Sequence, residues 1–184
     1  MVFMWRRKLE NNRNEVYMII FNCTTRNESM TSKVVDSIKD LGIVIDFKKS
    51  LHILSRNMLC GKLSFDQELA ISSSTGPIVL VMPSYYNFPS PIFLDWIMGL
   101  NADSINQFFG GRNIYLISVQ NGNLNELPVH NVRQLLQKVF DYNNTNAYIY
   151  RKHCMVNENT DTWARLRTHL EQLSNIYFYH QKIG

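Results

Sequence analysis

The sequence predicts a three-layer α/β domain, built as a doubly wound parallel sheet with helices on both faces. Short apolar runs without alternation, typical of strands buried on both sides, recur along the chain, and segments with helical spacing lie between them. The chain has 184 residues, of which 45% are hydrophobic and 18% charged. This size and composition fit one domain and are small for two.

The first half of the chain predicts two strands, each followed by a helix. Residues 16–23 and 43–47 form the strands. Apolar residues at helical spacing follow the first strand, and a glycine after them is expected to cap the helix: Val34, Val35, Ile38, Leu41 and then Gly42. Ser64 and Gln67 form a capping box, which predicts a second helix through about Ser73.

The second half continues the alternation. Three further strands are predicted, at residues 78–82, 113–119 and 147–150. A helix from about Ile92 to Leu100 follows the first of these, after a loop rich in proline. The next helix has an apolar face of Val132, Leu135, Leu136, Val139 and Phe140. The last helix begins near Asp161, with Trp163, Leu166, Leu170 and Leu173 on one face. Residues 1–14 have no clear period, so we expect a loosely held arm before a domain of residues 15–184.

Composition argues against several classes of function. The net charge of +4 is spread along the chain apart from Arg6-Arg7-Lys8, which is too weak a signal for nucleic-acid binding. No run of apolar residues is long enough to span a membrane, and the order of a signal peptide is missing, so we expect a cytoplasmic protein. The five histidines have no ligand spacing, and no metal site is expected. Neither a disulfide framework nor a zinc site is indicated by three separated cysteines, Cys23, Cys60 and Cys154.

Three loops leave the carboxyl ends of predicted strands, where an open parallel sheet binds its ligands. The first loop carries five hydroxyls and a guanidinium just before a helix: Thr24, Thr25, Arg26, Ser29, Thr31 and Ser32. Unpaired N–H groups and the positive end of the helix dipole favour a phosphate there, and we call residues 24–31 the phosphate turn. The alternative is that Ser29 or Thr31 merely caps the helix, and both roles can coexist. The turn contains no glycine, which argues against a P-loop or a dinucleotide fingerprint.

The other two loops could border a flat ring. Residues 83–91 place three aromatic side chains and the amide of Asn87 at the end of the central strand. The alternative is a loop stiffened by proline that packs its aromatic residues on a neighbouring helix or on another subunit. Residues 120–123, rich in amides, indicate only a turn by themselves.

These loops together resemble those of the NAD(P)H-dependent FMN reductases, a branch of the flavodoxin-like flavoproteins. Residues 23–31, Cys-Thr-Thr-Arg-Asn-Glu-Ser-Met-Thr, keep the hydroxyl, the arginine and the second hydroxyl of the family's first loop, G-S-x-R-x-x-S-x-N/S. Residues 82–91 share Pro83 and Tyr85 with the family's T-P-E-Y-N-G-S-x-P-G, and the amide is displaced by one position. The agreement in order and spacing extends from about Val16 to Leu173.

The resemblance implies a flavodoxin-like fold with a five-stranded parallel sheet of order 2-1-3-4-5, and an FMN site at its carboxyl edge. By this resemblance, the FMN phosphate is held by Thr24, Arg26, Ser29 and Thr31. The isoalloxazine ring is bordered by Pro83, Ser84, Tyr85, Tyr86 and Asn87, and its other edge is closed by Gln120, Asn121, Gly122 and Asn123. The departures are Cys23 for the family's glycine, Ser84 for its acidic residue, and the missing glycines after the tyrosine.

The implied activity is transfer of a hydride from NAD(P)H to FMN and of electrons onward to a quinone, azo compound, free flavin or similar acceptor, without a catalytic side chain. A homodimer is also implied. Trp96, Phe108 and Phe109 follow the second loop in the sequence, and we expect them at the interface. Two alternatives stay open. One is an FMN electron carrier or ribonucleotide-reductase activator that docks on a protein partner. The other is an interaction protein that has lost its cofactor.

Overall fold

The structure is a computed structural model. It describes residues 18–24, 26, 28–47, 51–55, 58–61, 63–84, 90–120, 126–150, 154–156 and 165–172. The predicted N-terminal arm therefore lies outside the described residues.

The described part of the chain contains eight strands and six helices. The strands are β1 (Met18–Asn22), β2 (Gly42–Asp46), β3 (Leu51–Ser55), β4 (Met58–Gly61), β5 (Ile78–Pro83), β6 (Asn113–Val119), β7 (Tyr148–Ile149) and β8 (Cys154–Val156). The helices are α1 (Met30–Ile38), α2 (Phe65–Ser73), α3 (Pro91–Gly99), α4 (Ala102–Phe109), α5 (Leu127–Tyr142) and α6 (165–172), and a 3₁₀ turn, Lys39–Leu41, follows α1. In these ranges no helix combines the length and the apolar character that crossing a membrane requires.

The main sheet is parallel and has the order β2-β1-β5-β6-β7. Since β5, β6 and β7 are the third, fourth and fifth predicted strands, the predicted order 2-1-3-4-5 is confirmed. A sixth strand, β8, was not predicted. It pairs with residues 117–119 of β6, whereas β7 pairs only with residues 113–114, so the two short strands share one edge of β6.

Three other elements were not predicted from the sequence, two strands and a helix. Strands β3 and β4 form an antiparallel hairpin between β2 and α2, in a segment for which no element was predicted. Helix α4 begins after Asn101, whose side chain accepts a hydrogen bond from the N–H of Ser104. That cap is a local signal that could have been read from the sequence.

Helices cover the two faces of the sheet unequally. Met18, Ile20 and Val79 pack with residues of α1 and α6, and we call this side the α1 face. Ile19, Phe21 and Leu80 pack with α2, α3, α4 and α5 on the other side, the α2 face. Neighbouring strand residues point to opposite faces, so strands covered on both sides carry continuous apolar runs. The predicted helices on both faces are confirmed.

The three aromatic residues expected at a dimer interface lie instead inside the monomer. Trp96, Phe108 and Phe109 are all buried, and the Trp96 ring lies 6.2 Å from that of Phe108 and 5.9 Å from that of Phe109. They pack in the core of the α2 face with Phe21 and Phe47. The assignment of these side chains to an interface was wrong, because their helices turn the aromatic residues toward the sheet.

The predicted capping box is confirmed. The N–H of Gln67 donates to Ser64 Oγ, and the N–H of Ser64 donates to Gln67 Oε1 at 2.9 Å. Helix α2 ends at Ser73, as the sequence indicates. Reciprocal caps of this kind depend only on residues three apart, so they are predictable without tertiary information.

Gly42 follows the first helical segment, but its role differs from the expected cap. Its backbone is extended rather than left-handed, and it begins β2 opposite Met18. A Cβ atom at this position would collide with the carbonyl group of Met18. The glycine is therefore required by the close approach of two strands.

Gly42→Ala is expected to lower the free energy of unfolding by about 1–3 kcal/mol, because the added methyl group must push β1 and β2 apart. Chemical denaturation measures this loss. Gly99→Ala is the matched control, since a Cβ there meets no atom within 4 Å. We expect the control to be neutral or stabilising by up to about 1 kcal/mol. Equal effects at the two glycines would contradict this account.

An exposed ion pair joins the end of α1 to α6. Arg167 donates from Nη1 and Nη2 to the two carboxylate oxygens of Asp40, at 3.0 and 2.6 Å, and from Nη1 to the carbonyl of Ser37. The Arg167 guanidinium lowers the pKa of Asp40 below its ordinary value of 3.8. Since a depressed carboxyl pKa stabilises the folded state above the unfolded pKa, this contribution is lost as the pH falls through the folded value.

The coupling between Asp40 and Arg167 is therefore expected to be measurable at about pH 7 and to decline at an acidic pH below the ordinary Asp40 pKa value of 3.8. Melting temperatures of the wild type, Asp40→Asn, Arg167→Gln and the double variant measure it at both pH values. A coupling that persists at the lower pH would show that the carboxylate charge is not its source.

Candidate functional site

The carboxyl ends of the central strands meet at one edge of the sheet. Hydrogen bonds extend the ladder one residue past each strand: the N–H of Cys23 donates to Val81, that of Ser84 to Val119, and that of Gln120 to Val156. These bonds are 2.9–3.0 Å long. The chain leaves β1 toward the α1 face and leaves β5 toward the α2 face, so the order of strands reverses between β1 and β5. This is the topological switch point at which such sheets bind ligands.

The phosphate turn begins directly after β1 and is organised by its own hydroxyl groups. Thr24 Oγ1 accepts from the N–H of Arg26 at 3.3 Å. Ser29 Oγ accepts from the N–H of Ser32 at 3.1 Å and lies 3.0 Å from Ser32 Oγ. The hydroxyl of Ser32 in turn donates to the carbonyl of Arg26 at 3.5 Å. Arg26 and Ser29 are thus both bonded to Ser32 in the first turn of α1.

Ser29 is the N-cap of α1, as one of the two alternatives for this turn predicted. The cap still leaves N–H groups available to a phosphate, because the first N–H groups of a helix lack partners within the helix. The first turn of α1 contains no acidic residue, so no carboxylate there opposes an anion at the positive end of the dipole. The helix start is therefore suited to a phosphate.

The predicted phosphate ligands differ in how accessible they are. The Arg26 side chain is exposed and that of Ser29 is half-buried. Thr24 and Thr31 are buried, with exposed fractions of 1% and 2%. Arg26 and Ser29 can approach a ligand directly, whereas Thr31 lies where its backbone N–H, in the first turn of the helix, is the group available to an anion.

Cys23 stands where the first loop of the FMN reductases that this loop resembles has a glycine. Its side chain is fully buried in the core of the α2 face, with Phe21 and Met82 in the same cluster. Burial raises the pKa of the thiol well above its ordinary value. The thiol is thereby favoured in its neutral form, and Cys23 packs as a core residue. In the described ranges, no three His, Cys, Asp or Glu side chains are grouped to hold a metal ion.

The predicted ring-binding loops are described only in part. Pro83 ends β5 beside Val119, and Ser84 is half-buried at the sheet edge. Gln120 is at the same edge, but its side chain is buried and donates from Nε2 to Ser118 Oγ at 3.1 Å. The remaining predicted ring contacts lie outside the described residues: Tyr85, Tyr86, Asn87, Asn121, Gly122 and Asn123.

A small cleft, with free space of about 10 Å³, lies between the ends of β5 and β6 and the start of α5. Its walls include Met82, Val129 and Val132, with the hydroxyl-bearing Ser118 among them. Those three apolar residues belong to the core of the α2 face, whereas the phosphate turn leads into a helix on the α1 face. The cleft and the phosphate turn are therefore separate features of the same sheet edge.

Three residues of this edge were given no role in the predicted site. Ser32 was named among the hydroxyls of the first loop, and in the structure it bonds both Arg26 and Ser29; its spacing of three from Ser29 is a signal that could have identified this role. Asn22 and Asp46 lie opposite each other at the ends of β1 and β2, with Asn22 Nδ2 3.5 Å from Asp46 Oδ1. No local pattern pairs residues so far apart in sequence.

The architecture matches solved structures closely in topology and distantly in sequence. A flavodoxin, WrbA-like protein from Agrobacterium tumefaciens superposes with a TM-score of 0.60 at 13% identity, covering 89% of this chain and 97% of that one. The fold is flavodoxin-like. This flavodoxin-like chain also matches an oxidoreductase from Corynebacterium diphtheriae, with a TM-score of 0.58 at 12% identity and 87% and 95% of the two chains covered.

Flavodoxin 1 from Bacillus cereus gives a TM-score of 0.55 at 14% identity, with 88% of this chain and 98% of the flavodoxin covered. Similarity at this level concerns the fold. No protein-family model matches the chain, and no curated protein matches its sequence.

Proposed function

We propose that this protein is a flavin-dependent oxidoreductase that binds FMN and uses NAD(P)H to reduce a small-molecule acceptor such as a quinone, an azo compound or free flavin. The observation that carries the proposal is the phosphate turn, which bears hydroxyls and an exposed guanidinium and leads into a helix whose first turn has no acidic residue, at the switch point of a flavodoxin-like sheet. One of the similar structures is an NADH:FMN oxidoreductase, with a TM-score of 0.57 at 12% identity and 86% and 89% of the two chains covered.

The donors of the turn fit the terminal phosphate of FMN. A phosphate monoester offers acceptor oxygens and negative charge, and the turn supplies the Arg26 guanidinium, the Ser29 hydroxyl and the N–H groups at the start of α1. The missing glycines matter less for one terminal phosphate than for a di- or triphosphate, which needs close approach of the backbone at several points.

When bound, FMN supplies the redox chemistry, accepting a hydride from NAD(P)H and passing electrons to the acceptor. The protein would bind and orient the cofactor and exclude water from the site. In our proposal the phosphate turn anchors one end of the cofactor, and the loops after β5 and β6 border its ring. Pro83 and Ser84 then lie where the ring edge approaches the sheet.

The test is flavin uptake followed by turnover. The purified protein is incubated with FMN, separated from free flavin, and examined for flavin absorption in the visible range. Oxidation of NADH and of NADPH is then followed with a quinone as acceptor. Bound flavin with steady turnover supports the proposal. Bound flavin without turnover contradicts a reductase and supports an electron carrier, and a protein that takes up no flavin would support the cofactor-free interaction protein.

A homodimer and a cytoplasmic location belong to the proposal as well. Because Trp96, Phe108 and Phe109 are buried in the monomer, a dimer would have to use other residues. Sedimentation of the FMN-loaded protein measures its mass in solution, and a monomer mass would remove the dimer from the proposal.

A further inference from the structure

The carbonyl oxygen of Asn22 is a buried acceptor without a donor. Asn22 is the last residue of β1 and is only 3% exposed. Its Nδ2 lies 3.5 Å from Asp46 Oδ1, while no group in the described part of the chain donates to its Oδ1. A buried polar atom that has lost water and gained no partner is rare in proteins, and an unfilled hydrogen bond of this kind calls for an explanation.

The orientation of the amide follows from its neighbour. Exchanging the nitrogen and oxygen of Asn22 would place the carbonyl oxygen against the carboxylate of Asp46, two acceptors facing each other. The observed orientation keeps the N–H group on the carboxylate. The unpaired atom is therefore the oxygen.

Asn22 lies close to the phosphate turn. By the alternation of β1 it shares the α1 face with Met18 and Ile20, and α1 covers this face and begins with the turn. Thr24, the first residue of the turn, is two positions further along the chain, so the Cα atoms of the two residues are at most about 7 Å apart. The turn's own hydrogen bonds from the Arg26 N–H and the Ser32 hydroxyl are long, at 3.3 and 3.5 Å, and can exchange when a ligand enters.

A phosphate dianion cannot satisfy Asn22, because its oxygens are acceptors. The nearest donor that FMN carries is the ribityl hydroxyl on the carbon next to the phosphate-bearing carbon. We propose that Asn22 is a specificity-determining residue, whose carbonyl oxygen accepts a hydrogen bond from this hydroxyl. The site then selects phosphate esters of polyols over other phosphates. This inference rests on the proposed binding of FMN.

The experiment combines a change in the protein with a change in the ligand. Dissociation constants are measured by flavin fluorescence for the wild type and Asn22→Leu, each with FMN and with the 4′-deoxy analogue of FMN, which lacks only that hydroxyl. The wild type is expected to bind the analogue about tenfold more weakly than FMN, as the loss of one hydrogen bond predicts. Asn22→Leu is expected to bind FMN about tenfold more weakly and to bind both ligands equally.

Three further measurements distinguish the loss of this hydrogen bond from a structural effect. Asn22→Val, which also removes the amide and suits a strand, keeps the test available if the leucine variant does not fold. Asn106→Leu changes an exposed asparagine on α4 and is expected to leave both dissociation constants unchanged. Binding of inorganic phosphate, measured calorimetrically, is expected to be the same in the wild type and Asn22→Leu.

The outcomes separate the two proposals. If the wild type binds FMN and its analogue equally, or if Asn22→Leu weakens both ligands alike, the assignment of Asn22 is overturned while FMN binding stands. If the wild type binds no flavin at all, the proposed function fails, and the role of Asn22 fails with it.

Discussion

Replacing Arg26 and Ser29 together by alanine is expected to weaken FMN binding about 100- to 1,000-fold. A charge-assisted hydrogen bond from a guanidinium to a phosphate contributes about 1.5–3 kcal/mol, and loss of the Ser29 hydroxyl removes about 1 kcal/mol more. The Ser29 hydroxyl also organises the turn through its contacts with Ser32. Titration of the apoprotein with FMN, followed by flavin fluorescence, measures the change.

The fold is expected to survive this double change. Loss of an N-cap costs about 1 kcal/mol, a fraction of the stability of an ordinary domain. Asn101→Ala with Arg165→Ala is the matched control, because it removes the N-cap of α4 and an exposed arginine of α6. The control is expected to keep its affinity for FMN. If the Arg26→Ala/Ser29→Ala protein keeps wild-type affinity, the phosphate is held elsewhere.

Arg112→Ala is expected to lower the free energy of unfolding by about 3–5 kcal/mol, the largest effect on stability that we predict. Arg112 lies just before β6 and is only 4% exposed. Its Nε donates to the carbonyl of Gly76 at 2.8 Å, and its Nη1 donates to the carbonyls of Ile71 and Phe108 at 3.0 and 3.2 Å. One guanidinium thus joins the end of α2, the loop before β5 and the end of α4. Without it, three carbonyl groups lose a donor.

Urea denaturation measures this effect, with the slope of the transition used to check that the unfolded state is unchanged. Arg112→Lys is expected to recover only part of the loss, because an ammonium group cannot reproduce the planar fork of the guanidinium. Arg165→Ala, on an exposed position of α6, is expected to change stability by less than about 0.5 kcal/mol. A midpoint for Arg112→Ala equal to that of the wild type would contradict the structural role.

Local signals in the sequence account for most of the main sheet and its helices. The apolar run of β6 predicts the strand at the residues where it occurs, Asn113–Val119, because a strand buried on both faces needs no polar alternation. The capping box at Ser64 identifies the start of α2 for a similar reason, since both partners lie within one helical turn. Elements that are marked by a local pattern of residues can be predicted from the sequence.

Elements that depend on distant partners were missed or misassigned. The hairpin of β3 and β4 pairs two short strands, of five and four residues, for which no element was predicted. Strand β8 exists because β7 leaves the upper part of β6 unpaired. Gly42 stands where a helix-capping glycine is expected, yet a glycine is needed there because a Cβ would collide with the carbonyl of Met18 in β1. Whether Trp96 is buried or exposed depends on which side of its helix faces the sheet, and the local sequence does not determine this. In the structure Trp96 is buried.

The sequence by itself determined that hydroxyls and an arginine stand between the first strand and a helix start, because residue order and helix polarity are local properties. Only the tertiary structure decided that this turn lies at the switch point between β1 and β5, and that Asn22 and Asp46 meet beside it. Strand order depends on which apolar faces the helices cover, and that balance of burial involves the whole chain.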